Sequence, residues 1–111
     1  MLRFALVFAL GLFGLVTVPV APASAAVVGG VVAMTRDSCD YFLVVTKSGI
    51  DLLEWYGGVT PDRDDVIYGS FVSYGFHSVY DKTQHATIRV YVEEYGLDSG
   101  EAYDRLNDSC G

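Results

Sequence analysis

Positive charge is scarce in this sequence. Seven Lys and Arg stand against fourteen Asp and Glu, for a formal net charge of −7. Such a surface repels phosphate backbones and anionic headgroups. Nucleic acid is therefore disfavoured as a partner, and so is a membrane surface once the N-terminal segment is removed. Cationic partners, metal ions and neutral ligands stay open. Cysteine is equally scarce, with only Cys39 and Cys110. There is no Cys-x-x-Cys pair and no third thiol, which argues against a thiol catalyst. The stretch 69–75 holds glycines and serines but no Gly-x-Ser-x-Gly, so no nucleophile elbow is spelled out. His77 is near Ser73 and Ser78 in sequence, but adjacency does not make a triad. Glu93 and Glu94 are neighbours on a predicted strand, point to opposite faces, and so do not form a catalytic carboxylate pair. No internal repeat or low-complexity segment is present.

What is present begins with an apolar N-terminus. Arg3 is the only charge before Arg36, and an apolar run follows from Phe4 to Val16. Pro19 and Pro22 stop any helix, and Ala23-Ser24-Ala25 supplies small residues at the positions a signal peptidase reads. This pattern predicts a cleavable secretion signal over residues 1–25, with Ser24-x-Ala26 as a junction one residue later. An uncleaved membrane anchor would need about 20 uninterrupted apolar residues. The prolines and Gly29-Gly30 break the stretch before that. The expected location is periplasmic or secreted. Residues 26–38 read as a flexible mature N-terminus, with the Val27–Met34 segment as an added edge strand in the alternative reading.

Residues 39–111 read as one mainly β domain. Tyr41–Thr46 and Ile50–Tyr56 flank the Lys47-Ser48-Gly49 turn and make a hairpin. Val66–Val72 and His77–Tyr80 supply two more strands, with Gly69 marking a bulge or sharp bend. From Thr87 to Glu94 the residues alternate: Ile88, Val90 and Val92 on one face, Arg89, Tyr91 and Glu93 on the other. Asp98 and Glu101 form a capping-box pattern that opens a short helix running to about Asn107. Ala102, Leu106 and Cys110 share one face of it. Strands this short that bend at glycines predict a small five-stranded antiparallel barrel or strongly bent sheet, OB-like or SH3-like, with a short C-terminal helix. A domain of this size has a small core, and in an oxidising compartment Cys39 and Cys110 read as one disulfide.

Cys39-x-Tyr41, the run Leu52 to Gly58, Pro61, Asp65-Val66-Ile67-x-Gly69, Ser73-Tyr74-Gly75-Phe76 and Val79-Tyr80-Asp81 resemble a group of short exported bacterial proteins to which no activity is attached. The resemblance covers most of the mature chain and implies a bacterial, periplasmic or secreted origin. The Asp65–Gly69 segment also resembles the corresponding strand of small OB-like and SH3-like barrels.

Two groups of residues suggest metal chemistry. His77, Asp81 and His85 are spaced four apart around a predicted turn, and Asp62, Asp64 and Asp65 make an acidic loop. The first has no geometry behind it, and the second lacks the glycine and distal glutamate of an EF-hand loop. Neither outweighs a surface or turn role, so no cofactor is expected, and no catalytic motif supports an enzyme. The aromatics are the more suggestive feature: eight Tyr, six Phe and one Trp. Tyr and Trp pair a flat apolar face with a polar edge, which suits sugar rings or peptide partners. The expected binding face is Tyr91 and Arg89 with Tyr56 and Tyr68. These residues point to a small exported binding module that contacts an envelope component or a protein partner through an aromatic sheet face. The alternatives are a structural or assembly protein that pairs through exposed strand edges, and a weak divalent-metal-binding domain.

Overall fold

The computed structural model describes residues 27–111. The expected signal segment and its cleavage junction lie outside the described residues. Six strands and one helix follow in order: β1 (Val28–Thr35), β2 (Tyr41–Thr46), β3 (Gly49–Gly58), β4 (Val66–Gly69), β5 (Gly75–Asp81), β6 (Ala86–Leu97) and α1 (Ser99–Cys110). The strands close into a barrel in the order β1-β2-β3-β6-β5-β4, and every pairing is antiparallel. The mainly β barrel with a C-terminal helix is the architecture the sequence predicts, with six strands rather than five.

The sixth strand is β1, and over Val28–Thr35 it corrects the reading of residues 26–38 as a flexible segment. Val31 pairs with Val45 of β2 on one side and with Val66 of β4 on the other. The segment is thus neither loose nor an edge. Its sequence hides this because apolar residues occupy both faces: Val32 is fully buried inside the barrel while Val31, pointing outward, is 41% exposed. Without β1, both β2 and β4 would present unpaired backbone groups.

The barrel interior is filled from all six strands. Val32, Phe42, Val44, Leu53, Ile67, Val79, Ile88, Val90 and Val92 pack together with Phe71. The β6 alternation is as expected, with Ile88, Val90 and Val92 fully buried. Gly69 ends β4 instead of bulging it. A Cβ there would run into the Val79 side chain, so the residue serves close approach of β4 to β5 inside the barrel. Gly58 closes β3 at φ +85°, where a Cβ would collide with the carbonyl of Thr87.

Outside the barrel, α1 covers Leu43, Leu52 and Leu97 with Ala102 and Leu106. Asp98 caps it: its side chain accepts from the Glu101 amide at 2.8 Å, and the Glu101 side chain reaches back to the Asp98 amide. Cys110 bonds to Cys39 in the β1–β2 loop, across 71 residues of chain. The disulfide thus ties the end of the helix to the start of β2.

Candidate binding face

Strands β3, β6 and β5 are neighbours, so their outward residues share one surface. Phe76 of β5 stands directly opposite Tyr91 of β6. Their ring centroids are 4.8 Å apart and nearly perpendicular. Tyr56 of β3 meets Phe76 in the same way, at 4.8 Å and 84°, and lies 6.4 Å from Tyr91. Edge-to-face geometry sets the positive rim of one ring against the negative face of the next. The Arg89 guanidinium sits 5.2 Å over the Phe76 ring from the adjoining outward position of β6. Tyr74 and Tyr95 make a second pair nearby, at 4.9 Å. Tyr56 remains 51% exposed and Phe76 49%. Tyr91 points outward as expected but is half-buried, because the other two rings flank it.

One edge of this face carries a carboxyl pair. Glu54 of β3 stands opposite Tyr41 of β2 on one side and Tyr91 on the other. Burial and the neighbouring Glu54 carboxyl raise the Tyr41 and Tyr56 hydroxyls above their ordinary value. Burial, then the Glu54 carboxyl beside it, also pushes Glu93 above its ordinary value. Glu94, on the other side of the strand, pairs with Arg105 of α1.

The structure therefore brings together three of the four expected face residues: Tyr56, Arg89 and Tyr91. Tyr68 does not join them. It lies on β4, paired with Tyr80 and Gly29. Phe76, the ring that links Tyr56 to Tyr91, is not among the expected face residues because Ser73–Phe76 looks like a turn. The usable signal was the alternation of Phe76, Ser78 and Tyr80 against His77, Val79 and Asp81. The Glu54–Glu93 pair carried no local signal, since its members sit on strands far apart in sequence.

The metal reading of His77, Asp81 and His85 does not hold. Nε2 of His77 lies 3.0 Å from both the hydroxyl and the carbonyl oxygen of Ser73. Asp81 is fully buried, and its Oδ1 accepts from the Gln84 amide at 2.9 Å. His85 is an exposed residue of the β5–β6 turn at φ 55°. Among the described residues no group of three His, Cys, Asp or Glu is placed to hold a metal ion. The acidic loop is closed by hydrogen bonds: Oδ2 of Asp65 accepts from the Asp62 amide at 3.1 Å and from Nε2 of Gln84 at 2.7 Å. Gln84 also donates to the Thr60 carbonyl at 2.9 Å. The Asp65 and Asp81 carboxyls are bridged by Gln84, whose Nε2 donates to Oδ2 of both. Burial raises both, but the bonds from Asp81, Gln84 and the Asp62 amide leave Asp65 below its ordinary value, while burial and Asp65 leave Asp81 above it. This group latches the β3–β4 loop to the β5–β6 hairpin.

No known protein family, curated protein or solved structure matches the chain.

Proposed function

We propose that this protein is an exported, non-enzymatic binding module that contacts an envelope component or a protein partner through the Tyr56–Phe76–Tyr91 face. The observation that carries this reading is the pair of rings that stay about half exposed although each is fixed edge-to-face against its neighbours. Such rings are already ordered, so a partner that covers them loses little side-chain entropy on binding. Export is supported by the N-terminal sequence pattern and by the Cys39–Cys110 disulfide, which belongs to an oxidising compartment. Among the described residues no helix is long and apolar enough to cross a membrane.

The assembly alternative draws less support, because among the described residues every barrel strand has a neighbour on both sides. The test is co-sedimentation of the mature domain with isolated cell-envelope fractions, comparing the native chain with Phe76→Ala and Arg89→Ala. The expected result is retention of the native chain in one fraction and at least tenfold weaker retention of Phe76→Ala at unchanged secondary structure. Equal retention of both would remove this face from the reading.

A further inference from the structure

A second surface adjoins the edge of the aromatic face that carries Glu54 and Tyr41. The β1–β2 loop, the start of β2, Trp55 of β3 and the Thr60–Asp62 segment enclose a cleft of about 350 Å³. We infer that this cleft is a saccharide site that seats a single sugar ring against Trp55. Its volume falls at the small end of the roughly 300–1,000 Å³ of small-molecule pockets, which suits one ring and not an extended chain.

The walls are held in place from several sides. The indole N–H of Trp55 donates to the Val59 carbonyl at 3.1 Å, and the Trp55 amide donates to the Asp40 carbonyl at 2.8 Å. The Cys39–Cys110 bond pins the β1–β2 loop to α1. Arg36 lies 5.4 Å over the Tyr103 ring of α1, and its Nη2 donates to the Met34 sulfur at 3.7 Å. The Asp62 amide is anchored on Asp65. A site braced in this way needs little ordering when it is filled.

The chemistry of the lining selects the ligand. Asp37, Asp40 and Asp62 bring acceptors, while Arg36, Ser38 and Thr60 bring donors. A sugar hydroxyl both donates and accepts, so a ring of hydroxyls satisfies a mixed lining. An organic cation would use the carboxylates but face repulsion from Arg36, and an anion would face three carboxylates. The aromatic wall supplies the remaining need, an apolar surface for the C–H face of the sugar.

Trp55 is the only tryptophan in the chain, so its fluorescence reports directly on this cleft. The experiment is a titration of the oxidised mature chain with glucose, galactose and N-acetylglucosamine, followed by Trp55 emission and repeated by calorimetry. The expected result is a saturable change with at least one sugar, weakened tenfold or more in Asp62→Asn and unaffected by Phe76→Ala. Three results would overturn the inference: no saturable signal with any sugar, binding that survives Asp62→Asn unchanged, or saturation by choline in place of sugars. Binding lost only in Phe76→Ala would assign the sugar to the aromatic face instead and leave the cleft without a ligand.

Discussion

The Gly96 amide donates to Oδ1 of Asp51 at 3.0 Å, while Oδ2 of the same carboxyl is buried and has no hydrogen-bond partner among the described residues. Asp51 stands opposite Val44 on the inward side of β3 and is 1% exposed. Gly96 offers its amide from a backbone at φ +72°, at the point where the β3–β6 register shifts. One neutral donor does not replace the water an ionised carboxylate loses. Burial pushes the Asp51 carboxyl up from 3.8 to about 6, and the Gly96 bond only partly offsets that.

Asp51 therefore weakens the fold at neutral pH. Its folded-state value lies above its unfolded one, so the folded chain holds the proton more tightly. The associated stability is complete below about pH 4, declines as pH rises through about 6, and is gone above that. A shift of this size corresponds to at most about 3 kcal/mol. Asp51→Asn, which removes the charge and keeps the shape, is expected to raise the melting temperature by several degrees at pH 7.5 and to change it little at pH 4. Thermal unfolding of both chains across that range checks it. An equal shift at both pH values would show that the carboxyl does not titrate with folding.

The Asp65–Asp81 pair predicts an asymmetry. Asp81 holds its proton more tightly than an ordinary carboxyl and Asp65 less tightly, and Oδ2 of Asp65 accepts from Gln84 and the Asp62 amide. Asp81→Asn keeps a donor facing Asp65 and is expected to cost less than about 1 kcal/mol. Asp65→Asn turns an amide donor toward the donors of Asp62 and Gln84 and is expected to cost about 2–3 kcal/mol. Urea midpoints of the two variants at pH 7 decide it, and the reverse order would reassign the proton.

Reduction of Cys39–Cys110 is expected to lower stability by about 4 kcal/mol, given the long loop it closes. Cys39→Ser/Cys110→Ser should behave like the reduced chain. Helix α1 should loosen first, because its buried contacts are few and lie on one side. Hydrogen exchange of the α1 amides, with and without reductant, reads this directly.

Phe76 and Tyr91 are expected to show a coupling energy of about 0.5–1.5 kcal/mol in a double-mutant cycle on stability. Because Phe76 is half exposed, Phe76→Ala should stay folded, which makes it usable as a binding variant. Coupling near zero would mean that the edge-to-face contact is not maintained in solution.

Some of these features were legible in the chain because they are local. The period-two run from Thr87 to Glu94 determined which β6 residues face inward. Asp98 and Glu101 determined where α1 begins, and two cysteines alone allow a single intramolecular pairing. Other features depend on which strands become neighbours. Val28–Thr35 has apolar residues on both faces, so no alternation announces β1; only the open edges of β2 and β4 recruit it. Tyr56 meets Phe76, Glu54 meets Glu93, and the Asp51 carboxyl meets the Gly96 amide through pairing between strands distant in sequence. A residue's own neighbours set its side of a strand relative to the next residue. Only barrel closure sets which side is inside and which side chains from other strands it meets.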